Sequence, residues 1–305
     1  MHWDCIPNDD YIEFADCTSN NGQKVRVLSP DELGKNFTVT AKFPSGSIFE
    51  GKSVDGKVFG KRSDPDGTII EGFLEGIYFE GEGTITYPED DDRDRYTGYI
   101  SVDEPNGQGV LYYKDFSDFD YAEGIFKEGE HESAIYYQRN GLIVKGKLVD
   151  GRYDGYVEVD YTSDDLLKRY EGYSADTFRQ GYGKLTYLSG DIYEGNFFED
   201  MRSGYGVYTF NPDNLDEAYY SRAEGNWVND SLNGQARLYY KDGTLIYSGN
   251  VIAGVENGLG TSFFEGGTYV GEHKDGMPNG NGKMMYDDGE YYEGFVVDGV
   301  SNGQG

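Results

Sequence analysis

The feature that most constrains this chain is a phrase that stands twice between residues 269 and 305. An aromatic residue lies two positions before a glycine, a second glycine follows nine residues after the first, and a third follows two residues later. The phrase begins at Tyr269 with Gly271 and again at Tyr292 with Gly294. Looser copies precede it, and a period in the twenties is typical of repeat arrays.

Eleven copies are visible when the first glycine of each phrase is taken as its anchor. The anchors stand 21 to 30 residues apart, and glycine recurs nine positions later in every copy except that of Gly124, which has Ser133. Length differences fall in polar segments between copies, as expected of surface loops. The anchors are Gly51, Gly72, Gly98, Gly124, Gly146, Gly172, Gly195, Gly225, Gly249, Gly271 and Gly294.

Within a copy, apolar and small residues alternate with polar ones, as in Gly206, Tyr208 and Phe210. This period of two predicts strands with one buried face. Asn precedes the second glycine in five copies, and Asn-Gly favours hairpin turns because both residues accept positive φ. We therefore predict one hairpin per copy, with the turn at Asn-Gly and a ring from the neighbouring copy lying across the glycines.

The fold class that follows is all-β, an elongated single-layer array of stacked β-hairpins over residues 47–305 with an irregular N-terminal cap. The cap, residues 1–46, would cover the first exposed edge of the array. Residues 11–15 and 24–28 alternate apolar and polar around a polar segment that predicts a turn, and residues 37–43 alternate again. Residues 29–33 predict a single helical turn.

The two cysteines, Cys5 and Cys17, are too few for a disulfide framework in a chain of 305 residues. We predict two reduced thiols. The sequence shows no signal-peptide pattern and no apolar run that approaches a membrane span. A cytoplasmic or otherwise intracellular location is therefore predicted, and not secretion.

The charge balance limits the partners. Asp and Glu number 56 against 26 Lys and Arg, which gives a net charge of −30. Such a field repels nucleic acid and anionic lipid headgroups and attracts basic partners. We expect no nucleic acid, disfavour an anionic membrane, and predict a protein partner that is basic.

Two sets of residues are candidates for binding. Rings two positions before the anchor either line a groove that stacks a peptide or form the core. Carboxylates between ring and anchor point to the opposite face, where they either bind a basic partner or accept backbone N–H groups of their own hairpin. The tyrosines are Tyr96, Tyr170, Tyr193, Tyr247, Tyr269 and Tyr292, and the glutamates named as binding candidates are Glu171, Glu194, Glu224 and Glu293.

The sequence contains no motif that predicts a catalytic site or a metal site. The acidic loop 89–94 lacks the alternating ligands and turn glycine of an EF-hand. The histidines have no Ser or Cys constellation beside them, and His273 occupies the place of Phe197 and Trp227 in other copies, which predicts a core or groove residue. We predict no catalytic residue, no metal site and no cofactor.

The phrase, clearest at residues 193–210, 269–286 and 292–305, resembles the MORN repeat. The resemblance implies an array of hairpins that serves binding and assembly. Such arrays occur alone as scaffolds, and also in front of enzymes such as SET-domain lysine methyltransferases and phosphatidylinositol phosphate kinases.

The leading prediction is a non-catalytic protein-interaction scaffold that binds a basic or peptide-like partner. The alternative is an N-terminal targeting or regulatory module of a larger enzyme. Because the sequence stops at Gly305 inside the phrase, we expect a further domain, a partner chain or self-association at the C-terminal edge.

Overall fold

A computed structural model describes residues 2–7, 15–20, 22, 24–27, 37–54, 57–75, 78–149, 152–214 and 220–303. These ranges hold strands, tight turns and one short 3-10 turn at Pro212–Asn214, and no α-helix. Contacts divide the chain into unit 1, Met1–Lys147, and unit 2, Leu148–Gly305. The all-β prediction of serial hairpins is confirmed within each unit, whereas the sequence did not predict the division.

Unit 1 is a sheet in which consecutive strands from β4 to β13 pair antiparallel. Its strands are β1 His2–Pro7, β2 Ala15–Ser19, β3 Lys24–Val27, β4 Thr38–Lys42, β5 Ile48–Val54, β6 Lys57–Ser63, β7 Ile69–Glu75, β8 Tyr78–Thr86, β9 Arg93–Ser101, β10 Glu104–Tyr113, β11 Phe119–Lys127, β12 Glu130–Gln138 and β13 Leu142–Gly146.

The N-terminal strands extend this sheet beyond β4. Strand β1 pairs parallel with β4 and antiparallel with β2, and β2 pairs with β3. The prediction of a strand at 37–43 is confirmed, but residues 16–19, predicted as part of a turn, belong to β2. Residues 11–14 and the predicted helical turn at 29–33 lie outside the described residues.

The prediction of two reduced thiols is wrong, because Cys5 and Cys17 form a disulfide. They face each other directly across the β1–β2 pair, so the pairing register brings the two side chains together. Both residues are buried beside Trp3 and Val39. The bond closes a loop of sequence separation 12 and constrains the unfolded chain accordingly.

Unit 2 contains a two-stranded ribbon of β14 and β15 and a sheet in which consecutive strands from β16 to β28 pair antiparallel. Its strands are β14 Leu148–Val149, β15 Arg152–Tyr153, β16 Gly155–Tyr161, β17 Leu167–Ala175, β18 Phe178–Tyr187, β19 Ile192–Phe198, β20 Met201–Thr209, β21 Arg222–Val228, β22 Ser231–Tyr239, β23 Leu245–Ile252, β24 Val255–Phe264, β25 Gly267–Lys274, β26 Met277–Tyr286, β27 Tyr291–Val297 and β28 Val300–Ser301.

The hairpin turns do not lie at Asn-Gly, so that prediction is wrong. They lie four and five residues after the anchor, as at Glu199 and Asp200, whose φ values are 47° and 68°. Two consecutive residues with positive φ form the two-residue turn that suits the twist of an antiparallel pair. Aspartate and asparagine tolerate this region better than most residues, and they fill many of these turns.

The residue before the second glycine, which is Asn in several copies and Ser203 in that of Gly195, instead lies in a bulge of the second strand. Gly195 pairs with Gly206 and Phe197 with Arg202, so Asn196 faces three residues, 203–205. Gly204 has a φ of 74° there. The second glycine is required because the bulged strand passes through the left-handed region at this point.

The bulge explains the ring two positions before the anchor. Tyr193 lies over the facing pair Gly195 and Gly206, and a Cβ built on Gly195 would stand 2.5 Å from the Tyr193 hydroxyl oxygen. The hydroxyl donates a 3.0 Å hydrogen bond to the carbonyl of Asn196, which has no single facing partner because of the bulge. The covering ring therefore comes from the same copy and not, as predicted, from the neighbouring one.

Neighbouring copies are joined by a second ring. Phe197 lies between Tyr170 of the preceding copy and Tyr193 of its own, with centroids 5.4 Å and 5.1 Å away, in edge contact. Trp227 repeats this contact with Tyr193 at 5.4 Å. Edge-to-face ring pairs add to the burial of their area, so unit 2 has an aromatic core from Tyr170 to Trp227 on one face of its sheet. We call this the ring face and the other the open face.

His273 takes the place of the second ring in its own copy. It is buried between Tyr247 and Tyr269. Its Nε2 lies 2.6 Å from the Ser262 hydroxyl, and its Nδ1 lies 3.1 Å from the Gly271 carbonyl oxygen. A carbonyl only accepts, so Nδ1 carries the proton and the Ser262 hydroxyl donates to Nε2. Burial lowers the pKa of His273, and the prediction of a core or groove residue agrees with this position.

Substituting Gly195 with Ala should destabilise the fold by about 3 kcal/mol, because the added methyl overpacks the covered backbone. Urea unfolding followed by tyrosine and tryptophan fluorescence measures the effect. Gly243→Ala is the control, since Gly243 has positive φ but nothing within 4 Å of a built Cβ, and its cost should be about 1 kcal/mol. Equal losses in the two variants would contradict the role of the ring.

Acidification from pH 7.5 to 5.5 should lower the urea midpoint. Because the pKa of His273 is lower in the folded than in the unfolded chain, protons bind preferentially to the unfolded chain as pH falls through about 6.5. The double variant Ser262→Leu, His273→Phe should show a smaller shift of the urea midpoint. It carries the residue types that other copies have at these two positions, as at Leu238 and Phe197. An unchanged pH dependence in that variant would contradict the assignment.

Candidate functional site

The predicted binding tyrosines lie on the ring face. Tyr96, Tyr170, Tyr193, Tyr247 and Tyr269 have no exposed surface, and Tyr292 is partly buried. Their hydroxyl groups donate to backbone carbonyls, and burial raises the pKa of Tyr96 and Tyr247 to about 12. These rings hold the hairpins together, and a partner could reach the buried five only if the sheet opened.

The predicted binding glutamates lie on the open face, where cations on adjacent positions offset them. Glu194 lies 3.7 Å from Lys184, Glu293 lies 3.3 Å from Lys283, and Glu171 lies 3.5 Å from Arg169. The carboxylates of one strand are therefore interleaved with lysine and arginine, which reduces the repulsion expected of a continuous acidic row.

Glu224 is the buried member of this set. It accepts a 2.6 Å hydrogen bond from the Tyr239 hydroxyl and pairs with Arg222 and with Arg237, the latter at 3.4 Å. Burial by itself raises the pKa of Glu224, but the hydrogen bond from Tyr239 and the two arginines outweigh it and leave the pKa lowered. Glu224 is thus fully engaged with its own sheet.

The open face of unit 2 carries a set of exposed rings that the sequence-based candidates did not include. The tyrosine row consists of Tyr156, Tyr173, Tyr182 and Tyr205, each more than half exposed at 56 to 61 %. Tyr156 and Tyr173 face each other across β16 and β17 with centroids 6.1 Å apart. These residues stand one or ten positions after an anchor, at the level of the bulges.

Amide side chains alternate with the row. Asn196 faces Tyr182 across β18 and β19, and Asn226 faces Tyr205 across β20 and β21. The Asn196 amide donates a 3.2 Å hydrogen bond to the Tyr205 carbonyl. Rings and amides thus follow one line that crosses six neighbouring strands, β16 to β21.

Two further rows border this line on the open face. One row lies nearer the loops between copies and consists of Glu158, Glu171 and Glu194. Each glutamate is two residues along its strand from a ring or amide of the line. Towards the hairpin turns stands an apolar set, which we call the turn-side row, with 44 to 68 % of each side chain exposed. Its members are Phe178, Phe198, Val228, Ile252, Val255, Met277 and Val300.

The turn-side row is not a requirement of the hairpin. In unit 1 the corresponding facing pairs include Ser101 with Glu104 and Lys127 with Glu130. The same turn geometry is therefore built with polar side chains there. Likewise, Asn226 and Gln235 occupy the level of the tyrosine row in later copies, so exposed rings at that level are not needed for folding.

The acidic loop 89–94 is held by hydrogen bonds from a lysine of the same chain. The Lys114 ammonium group donates to the carbonyls of Pro88, Asp91 and Arg93, the last two at 2.7 Å and 2.9 Å. Arg93 also pairs with the Asp91 carboxylate at 2.6 Å, and its hydrogen bond lowers the pKa of Asp91 to about 2. The loop is therefore pinned by hydrogen bonds that this chain supplies.

Within the ranges that the structure describes, no group of three or more His, Cys, Asp or Glu side chains is placed to hold a metal ion. In the same ranges no helix is long and apolar enough to cross a membrane.

The tyrosine row had a signal in the sequence. A residue one position after the anchor shares the parity of the glutamate in the same strand, so it lies on the same face as that carboxylate. A residue ten positions after the anchor lies in the next strand, and its face follows from the pairing of the strands. An aromatic residue on that face has no ring-face core to enter and must be exposed. The bulge, which sets the level at which these residues meet, could not be placed without the register.

The comparisons with known proteins agree with the repeat geometry. The sequence model of the MORN repeat matches residues 96–117, 170–192, 193–214, 224–245 and 269–291. Alsin of Rattus norvegicus and Alsin of Homo sapiens are each 33 % identical over 105 residues, which is 32 % of this chain and 6 % of Alsin. The match thus spans a small part of the length of these relatives.

Five of the eleven copies predicted from the sequence correspond to matched repeats, and the full count stays a prediction. The matched copies are those of Gly98, Gly172, Gly195, Gly225 and Gly271. In four of these copies, those of Gly98, Gly172, Gly195 and Gly271, the built Cβ of the anchor meets the tyrosine side chain two positions before it. The chain thus contains five MORN repeats.

Proposed function

We propose that the chain is a non-catalytic protein-interaction scaffold whose partner presents a basic, peptide-like segment. Arrays of MORN repeats are in general interaction modules. The observation that carries the proposal is the tyrosine row, because four large rings are more than half exposed on a face where the fold does not need them. Contiguous exposed apolar surface rimmed by polar groups marks interaction sites.

The charge around the row favours a basic partner. Four carboxylates on this part of the open face, those of Glu158, Asp160, Glu171 and Glu194, pair with two cations, Arg169 and Lys184. Tyrosine rings attract Lys and Arg through their electron-rich faces, and a carboxylate at the next position of the strand adds a charge partner. The net charge of −30 steers a basic segment towards the array.

The alternative function is that of a module within a larger polypeptide. It is favoured by the match to Alsin, because the 105 aligned residues make up only 6 % of the length of Alsin. MORN repeats therefore occur inside much longer proteins. The complete open reading frame tests this alternative, because a catalytic domain encoded in the same frame would make the array a targeting or regulatory part of that enzyme.

The intracellular location predicted from the sequence stays a proposal, and one observation weighs against it. Disulfides persist mainly in oxidising compartments, and Cys5 is bonded to Cys17. Alkylation of the protein taken directly from its native cells, followed by mass spectrometry, distinguishes the two cases. Two alkylated cysteines would support an intracellular location, and an intact bridge would oppose it.

The triple variant Tyr173→Ser, Tyr182→Ser and Tyr205→Ser should lose capture of basic proteins from a lysate of the native cells by at least tenfold. Removal of the exposed rings deletes the contact area without touching the ring-face core. Immobilised full-length chain and quantitative mass spectrometry measure the capture at about 50 and 500 mM salt, and capture by the native chain should fall at the higher salt.

The control is Tyr99→Ser in unit 1, which removes an exposed ring at the equivalent position of another copy. It should capture the same proteins as the native chain. Equal capture by the triple variant and the native chain, with both folded by circular dichroism, would show that the tyrosine row is not the interaction site.

A further inference from the structure

The tyrosine row has a regular spacing that restricts the conformation of what it binds. Tyr156, Tyr182 and Tyr205 occupy the same position in three consecutive copies, on β16, β18 and β20. Neighbouring strands lie about 4.8 Å apart, so equivalent residues of successive hairpins repeat at about 9.6 Å. A ligand that crosses the strands must present matching groups at that interval.

Three backbone conformations can be compared with this interval. A polyproline II helix rises about 3.1 Å per residue with three residues per turn, so one edge repeats every 9.3 Å or so. An extended strand presents the same side about every 6.7 Å. An α-helix repeats a face about every 5.4 Å per turn, or about 10.5 Å per seven residues. The polyproline II repeat fits best, and the seven-residue helical repeat is second.

The amides decide between these two. A polyproline II segment makes no internal hydrogen bonds, so its carbonyl oxygens need donors from elsewhere. Asn196 and Asn226 lie between and beyond the tyrosines. The Asn196 amide keeps one N–H beside its hydrogen bond to the Tyr205 carbonyl, and the tyrosine hydroxyls are further donors. An α-helix satisfies its own carbonyl groups, so its backbone would offer these amides no acceptor.

The neighbouring side chains fit a basic segment. Glu158, Glu171 and Glu194 border the row on one side. With Asp160 they make four carboxylates against the two cations that pair with them, Arg169 and Lys184, so the border keeps an excess of negative charge. The turn-side residues Phe178 and Phe198 border it on the other side and are about half exposed. A ligand here meets rings below, apolar side chains on one flank and carboxylates on the other.

We propose that the open face of β16 to β21 binds a basic, proline-rich segment in the polyproline II conformation, across the strands and at one turn per hairpin. This inference rests on the proposed function and names the partner class of the same surface. Successive tyrosines flank the edges of the segment, the amides bind its carbonyl groups, and the glutamates pair with its basic side chains.

The test is binding of the full-length chain to an array of fluorescent 12-residue peptides, each with two arginines and with proline at every third position. Fluorescence anisotropy gives the affinity of the best binder. A matched peptide replaces each proline with alanine, and a second replaces each arginine with glutamine. The expected result is that both replacements weaken binding at least tenfold, since one removes the conformation and the other the charge.

Variants of the protein locate the contact. Tyr182→Ser should weaken binding of the best peptide about tenfold, and Tyr182→Phe should weaken it less because the ring remains. Tyr99→Ser in unit 1 should leave the affinity unchanged. Circular dichroism of each variant checks that the sheet is intact.

The outcomes separate this inference from the proposed function. Tighter binding of the alanine peptides than of the proline peptides would overturn the polyproline II assignment and leave a basic peptide partner in place. Absence of binding by any basic peptide, with lysate capture still dependent on the tyrosine row, would also overturn it. Binding of anionic lipid vesicles that Tyr182→Ser abolishes would replace the peptide with a membrane and overturn both.

Discussion

The fold depends on one interaction, which is the packing of a tyrosine ring onto two glycines that face each other across a hairpin. Tyr193 over Gly195 and Gly206 is the clearest example. The ring can lie flat against the backbone only because neither glycine has a Cβ, and its hydroxyl satisfies the Asn196 carbonyl beside the bulge. The repeated sequence motif thus encodes one structural unit, in which the ring, the glycine pair and the bulge require one another.

This device also separates the two faces of the sheet. Rings on one face are used for cohesion within and between copies, as Phe197 between Tyr170 and Tyr193 shows. The other face is therefore released from the core and can vary from copy to copy. Lys127 with Glu130 in unit 1 and Ile252 with Val255 in unit 2 occupy equivalent places, which is the freedom that an interaction scaffold needs.

The electrostatics follow the same division. Carboxylates that point away from the rings are interleaved with lysine and arginine, and Glu224 is even drawn into the sheet by Tyr239 and Arg237. The carboxylates of the open face therefore do not form an uninterrupted acidic row. An acidic environment around exposed rings selects basic ligands more by steering than by any single ion pair.

The sequence by itself determined the repeat, the all-β class and the residues that face each way, because period-two alternation fixes the face of each side chain once a strand is recognised. It did not determine the register. Asn-Gly accepts positive φ in a turn and in a bulge alike, so in the Gly225 copy only the pairing of Trp227 with Leu232 placed the turn at Asn229 and Asp230 and not at Asn233-Gly234. The Cys5–Cys17 bond and the tyrosine row were likewise decided by which residues the register brings face to face, and that is a property of long-range pairing.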